Sequence, residues 1–339
     1  MSITRVALDV MGGDHSPSEM VLGAINAIKE KEDIHITLVG PEEKIKEELE
    51  KCACHDERIK ILHAPDEITC HDSPVNAIRQ KKEASMVMGL KLVKEGKAEG
   101  FISAGNSGAL LVGGQFIVGR AKGIERTPLA PILPTTKGVS LLIDCGANVD
   151  ARPSHLVQFA QMGSIYMEHV VGIKEPRVAI INIGAEEEKG NSWVKETYPL
   201  LKACEAIHFI GSIESREIPY GGADVIVTEA FVGNVILKLM EGVSGALMKE
   251  VKAGMTATPI AGFGALLAKK QLKKTLKKFD ASEYGGAPLL GLNGLVVKIH
   301  GNATNKEVKN AIFQVGTFHQ QDINGKIKER LLSLTTSLN

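Results

Sequence analysis

A chain of 339 residues with 44% hydrophobic and 24% charged side chains can bury a full core without disulfide or metal staples. Lysine plus arginine equals aspartate plus glutamate at 40 each, and aromatic residues are only 4%. No global field therefore favours nucleic acid, and little is left for base-stacking surfaces. Glycine is the outlier, at 35 residues where average usage is about 7%.

From the N-terminus, short apolar runs rich in β-branched residues alternate with helical patterns. The first, Arg5-Val6-Ala7-Leu8-Asp9-Val10, follows Met1 without a leader of the secretory kind. Strands are predicted over 5–11, 34–40, 59–64, 100–104, 140–145, 177–183, 206–211, 223–228 and 295–300. Continuous apolar runs such as Val178-Ala179-Ile180-Ile181 and Val225-Ile226-Val227 read as strands buried on both faces. Ser16-Pro17-Ser18-Glu19 reads as a helix start with a cap, a first-position proline and a capping-box glutamate. The expectation is an α/β fold: a mainly parallel sheet with helices on both faces, in one domain over 1–339. Two segments stand off from it: a polar helical stretch at 65–99 and a helical hairpin excursion at 231–280.

The glycine-rich, uncharged stretch from Gly100 to Gly119 is long enough to resemble a membrane span, but Ser103, Asn106, Ser107 and Gln115 favour strand, loop and buried helix. The five cysteines (Cys52, Cys54, Cys70, Cys145, Cys204) lack framework spacing and point to a reducing compartment. Cys52-Ala53-Cys54-His55, with His63, Cys70 and His71 downstream, invites a zinc site, yet the spacing matches no usual pattern. The expectation is no metal.

Nearly every predicted strand ends in glycine and small polar residues, and in open parallel sheets such turns converge on the ligand crevice. Ala104-Gly105-Asn106-Ser107-Gly108 precedes a helix and has the make-up of an anion-binding turn; a plain capped strand–helix turn is the competing reading. No Gly-Lys-Ser/Thr follows it and no Gly-x-Gly-x-x-Gly opens the first βα unit, which lowers nucleotide and dehydrogenase readings. Lys189, in Glu186-Glu187-Glu188-Lys189-Gly190-Asn191, is either a cation facing the crevice or part of a solvated charge run. Asn234, after Gly233 at a helix start, is a second polar candidate. Cys145 reads as a small buried thiol in preference to a nucleophile.

Taken together, Asp9-x-Met11-Gly12-Gly13-Asp14, the 104–109 turn, Asp144-x-Gly146-Ala147-Asn148-Val149-Asp150, Lys189-Gly190-Asn191, Phe231-x-Gly233-Asn234, Tyr284-Gly285-Gly286-Ala287, Gly291-Leu292 and Lys298-x-His300-Gly301 resemble the bacterial phosphate acyltransferase family of phospholipid synthesis, which makes acyl phosphate from acyl carrier protein. The match runs over nearly the whole chain. Departures are Glu229-Ala230, Asn302-Ala303 and Ala84. The resemblance implies a fold like that of isocitrate and isopropylmalate dehydrogenases and phosphotransacetylase, a homodimer and no cofactor.

On this basis Gly105, Asn106, Ser107 and Gly108 are expected to hold phosphate. Lys189 would offset its charge, and Asn234 would donate to the carbonyl oxygen or to phosphate. Asp9, Gly12, Gly13, Asp14, Asp144, Asn148, Asp150 and His300 would support the loops. Residues 255–268 carry no charge and include Ile260, Phe263, Leu266 and Leu267, and Lys269, Lys270, Lys273, Lys274, Lys277 and Lys278 follow on one helix face. Membrane contact at the inner face of a cytoplasmic membrane, dimer packing and docking of acyl carrier protein all suit such a hairpin. Hand-over to a membrane acyl-phosphate:glycerol-3-phosphate acyltransferase would follow. The competing functions are a short-chain phosphotransacetylase using acyl-CoA, an NAD-dependent decarboxylating dehydrogenase and a non-enzymatic membrane scaffold.

Overall fold

A computed structural model describes residues 3–337. Its strands form two mainly parallel sheets in place of the single sheet read from the sequence. The first has the order β10-β11-β4-β1-β2-β3, with β1 Thr4–Asp9, β2 Ile34–Gly40, β3 Ile59–His63, β4 Gly100–Ser103, β10 Ala287–Leu289 and β11 Leu295–Lys298. The second has the order β5-β6-β9-β7-β8, with β5 Ile132–Thr135, β6 Gly138–Ile143, β7 Arg177–Asn182, β8 His208–Glu214 and β9 Val225–Val227. Only the edge pairs β10–β11 and β5–β6 are antiparallel. β5 and β10 are the strands the sequence did not suggest. Each holds a proline, Pro134 and Pro288, and proline is tolerated at a sheet edge, where a missing N–H costs no ladder bond.

The apolar runs fit this arrangement residue by residue. Val6 and Leu8 of β1 and Leu295 and Val297 of β11 enter one cluster, which they share with Leu141 and Ile143 of β6 and Val178 and Ile180 of β7. The alternate residues Ala7, Phe101 and Val296 pack on the other face of the first sheet; Leu142, Ala179 and Ile226 do so on the second. A period of two places successive side chains on opposite faces, so strands covered on both sides read as unbroken hydrophobic runs. The shared cluster joins the two sheets through one core, and the chain at 128–130 stitches their edges: the Ala130 N–H donates to the Pro288 carbonyl and the Leu290 N–H to the Pro128 carbonyl.

Two local expectations change, at 65–99 and at the start of the first long helix, and the reading of 100–119 as strand, loop and helix stands. The stretch 65–99 does not stand off: its helices Pro74–Gln80 and Ser85–Lys94 bury Ile78, Met86, Val87 and Leu90 against the first sheet. The first long helix begins at Ser18, and the Ser16 hydroxyl accepts from Gly13 N–H at 2.8 Å instead of capping it. Residues 100–119 form β4, a turn and the helical run Ser107–Gly113 and Gly114–Val118. The hairpin is as expected: helices Ala230–Thr256 and Pro259–Lys277, turned at Thr258, whose side chain accepts from Ala261 N–H. Only Ala230, Gly233 and Ile236 of the first helix are buried, and none of the second. The first is also long and apolar enough to cross a membrane.

Candidate active site

At the carboxyl edge of the first sheet, the turns after β1, β4 and β11 meet backbone to backbone. A Cβ on Gly12 would stand 2.4 Å from Gly105 N, so only a residue without a side chain lets these two turns touch. Asp14 N–H donates to the Gly301 carbonyl at 2.7 Å. Behind them, buried Asp9 accepts the Ser103 hydroxyl at 2.7 Å and Met11 N–H at 3.1 Å, while Gly105 N–H donates to Ser103 Oγ at 3.0 Å. Burial pushes the Asp9 carboxyl above its ordinary range, against the pull of these donors. Asp9 thus braces the turn and does not face a reactant.

Asn106 caps the following helix, its Oδ1 accepting from Ala109 N–H at 3.0 Å, and its Nδ2 donates to the carbonyls of Thr69 at 3.0 Å and Asp72 at 3.2 Å. Its side chain is therefore engaged. What the turn offers an anion is backbone: the N–H groups of Ser107 and Gly108 open a helix, where no intrahelical carbonyl can reach them.

On the second sheet, Asp144 after β6 accepts from Leu129 N–H, Ala147 N–H, Asn148 N–H and Asn148 Nδ2, the last two at 2.8 and 2.7 Å. Burial lifts its carboxyl despite these bonds. The base of the hairpin rests on this turn: Ala230 N–H donates to the Asn148 carbonyl, and a Cβ on Gly233 would fall 1.9 Å from the Asp144 carbonyl oxygen. Glu229 caps the helix through Phe231 and Val232 N–H. Asn234 stands exposed on the first turn above this base. Lys189 lies over Gly184, whose added Cβ would meet Lys189 Cδ at 2.5 Å, and its ammonium donates to Glu186 at 2.7 Å. That hydrogen bond holds the Lys189 pKa above its usual value. A cavity of about 340 Å³ opens beside the loop, between Ile181, Trp193, Val232 and Ile236.

Thr127 ties the two edges together. Gln115, on the helix that follows the 104–108 turn, donates to the Thr127 hydroxyl at 3.1 Å, and Asn148 donates to the Thr127 carbonyl at 3.0 Å. Ala147 also packs on the cluster that holds Ala109 and Leu110. Two candidates take other places. Asp150 is exposed, and the His300 ring accepts from Asn302 N–H, holding its own loop. Among the described residues no group of three or more His, Cys, Asp or Glu could hold a metal ion.

Lys298, which the sequence offered only within the Lys298-x-His300-Gly301 motif and without a role, gains one from its placement. It ends β11 and is partly buried, donating to the Ala104 carbonyl at 2.9 Å and to the Ile299 carbonyl. Desolvation pushes its pKa down to about 8. The available signal was one charge closing the apolar run Leu295-Val296-Val297-Lys298.

The family described as "Fatty acid synthesis protein" matches residues 4–326. A phosphate acyltransferase of Alkaliphilus oremlandii is 49% identical over 330 residues, covering 97% of this chain and 98% of its own. One from Clostridium acetobutylicum is 47% identical over 329 residues, covering 97% and 99%. Among solved structures, the EutD phosphotransacetylase from Staphylococcus aureus shares the fold, with a TM-score of 0.60 at 18% identity and 94% of each chain covered. Close relatives over almost the full length and a matching family across both sheets agree, and the chain belongs to the phosphate acyltransferase family, a family of acyl-transferring enzymes.

Proposed function

We propose that this enzyme moves a long-chain fatty acyl group from the thiol of acyl carrier protein to inorganic phosphate, giving acyl phosphate for phosphatidic acid synthesis. A phosphate oxygen attacks the thioester carbon, a C–O bond forms, the C–S bond breaks and the carrier leaves as thiolate. Phosphate is anionic near neutral pH and the departing thiol has an ordinary pKa of about 8.5, so the step demands no strong base. The protein's part is to aim phosphate, exclude water and stabilise the developing oxyanion.

In this reading the 105–108 backbone receives phosphate, Lys189 leaves Glu186 to offset its charge, and Asn234 donates to the carbonyl oxygen. The observation that carries the reading is the Thr127 bridge, which joins the helical run after the 104–108 turn to the Asp144–Asn148 turn of the second sheet, with Lys189 and Asn234 at that sheet's edge. The deciding measurement is phosphate-dependent release of carrier thiol from palmitoyl carrier protein, with acetyl-CoA as control. Release from the carrier substrate alone supports the proposal. Turnover of acetyl-CoA alone would instead make the enzyme a short-chain phosphotransacetylase, the reading the shared fold favours next.

The hairpin supports a membrane-facing homodimer. Leu239, Val243, Leu247 and Val251 form an exposed stripe on its first helix, at the spacing of one helix face. Near the turn Ile260 is 86% exposed, with Phe263, Leu266 and Leu267 beside it. The stripe suits a second copy, while the turn and the lysine face after it suit an anionic lipid surface. Acyl phosphate made there would pass to a membrane glycerol-3-phosphate acyltransferase. A Phe263→Asp, Leu267→Asp variant should no longer float with anionic liposomes; unchanged flotation removes the insertion of the turn.

A further inference from the structure

Lys298 stands where an anion at the 104–108 turn would need a counter-charge. It is the last residue of β11, in register with Ser103 at the end of β4, so it sits directly beneath the turn. An ammonium has three N–H donors. Two are spent on the Ala104 and Ile299 carbonyls, and among the described residues no carboxylate forms an ion pair with it. The charged and titratable groups around it are Asp9, Glu307, Cys70 and Lys238. Asp9 is committed to Ser103 and Met11, and Glu307 accepts His300 N–H at 3.1 Å.

A partly buried cation that lacks a paired anion still carries a desolvation cost. Burial accordingly outweighs the two carboxylates at Lys298, and Lys238 of the hairpin helix adds repulsion. The bond to Ala104 fixes the ammonium one residue before Gly105, at a turn where the Ser107 and Gly108 N–H groups open a helix. The 104–108 turn itself contains no basic residue. Charge and cradle thus come from different strands of one sheet.

We propose that Lys298 is the phosphate-binding cation of the 104–108 turn, pinned to the Ala104 carbonyl and supplying the positive charge that the turn lacks. It shares the electrostatic work with Lys189: Lys298 holds inorganic phosphate from beneath the turn, and Lys189 offsets the remaining phosphate charge from the second sheet's edge. This assignment rests on the acyl-phosphate reading, and the test separates the two.

The probes are inorganic phosphate as substrate and sulfate as competing anion, on the full chain, with wild type, Lys298→Gln and Lys298→Arg. Glutamine keeps N–H donors for the carbonyls and removes the charge. The phosphate KM of Lys298→Gln should rise roughly 10- to 100-fold, the worth of one charge-assisted hydrogen bond, with the KM for the acyl donor unchanged. Lys298→Arg should recover most of the loss. The sulfate inhibition constant of wild type should rise above pH 8, as the lysine loses its proton while sulfate keeps its charge; in Lys298→Arg this rise should vanish.

An unchanged phosphate KM in Lys298→Gln overturns the proposal. Should that variant fail to fold, a pH-dependent sulfate effect that persists in Lys298→Arg overturns it equally. Wild type that forms no acyl phosphate from phosphate would instead sink the reaction assigned above, while phosphate-induced thermal protection present in wild type and absent in Lys298→Gln would still support the anion site.

Discussion

Two sheet edges face the proposed reaction, and they are built on opposite terms. At the first, Asp9, Ser103, Asn106 and Lys298 are all committed to neighbouring backbone or to one another, and the Gly12 and Gly105 backbones touch. At the second, Lys189 is half exposed on a 2.7 Å contact with Glu186, and Asn234 is free on a helix face. A phosphate cradle works by preorganisation, since donors that are already aimed cost nothing to align during the reaction. A group that must meet a bulky thioester entering from outside gains from standing in the open until the substrate arrives. In the proposed reaction the rigid edge would bind the small anion, while the adjustable edge would offset its charge and donate to the carbonyl oxygen.

The largest effect should come from breaking the adjustable edge. Losing one oxyanion donor typically costs about 10²–10³ in turnover, and Lys189→Ala and Asn234→Ala should each fall in that range with little loss of thermal stability. Initial rates at saturating phosphate would measure it. Near-normal turnover in both variants, with phosphate saturation unchanged, would remove these residues from the reaction and leave the first edge alone at the centre.

The rigid edge should break differently. In Gly12→Ala the new methyl meets Gly105 N at 2.4 Å, and neither backbone has a flexible side chain to give way. Forcing an extra carbon into a packed site costs about 1–3 kcal/mol, so the melting temperature should drop and the phosphate KM should rise together. The joint change is the signature, because here the fold and the cradle are the same atoms. A variant with normal melting and normal phosphate KM would mean the two turns are free to separate, and the contrast between the edges would lose its basis.

Much of this was readable from the chain because strand ends in a parallel sheet announce themselves: an apolar run, then glycine and small polar residues. What could not be read were partnerships. Hydrophobic periodicity says that β1 and β6 are each buried on both faces, but not that they belong to different sheets around a common cluster. Pro134 and Pro288 hid β5 and β10, since proline argues against a strand until the strand is known to be an edge. Asn106 looked like a ligand donor and is a cap and a cross-brace, its Thr69 and Asp72 partners lying far back in sequence. Lys298 carried no role within its motif for the converse reason: nothing in Val297-Lys298-Ile299 reveals that the Ala104 carbonyl waits beside it.

The smallest effect belongs to Cys145, and it sharpens the contrast by excluding a third route. An acyl-transferring enzyme with a cysteine at a strand end could pass its substrate through a thioester on that sulfur. The nucleophile would have to be the thiolate. Here Cys145 is 2% exposed among Leu142, Ala179 and Ile226, and burial, helped by the neighbouring Asp144 charge, pushes its thiol well above the ordinary range. Its sulfur donates to the Leu142 carbonyl at 3.9 Å, and among the described residues no base is hydrogen-bonded to it. Cys145→Ala removes one methyl-sized group from the core, a loss of about 1 kcal/mol in stability, and turnover should stay close to wild type. Abolished turnover in a variant that still melts normally would show that the thiol takes part, and the acyl group would then reach phosphate in two transfers instead of one.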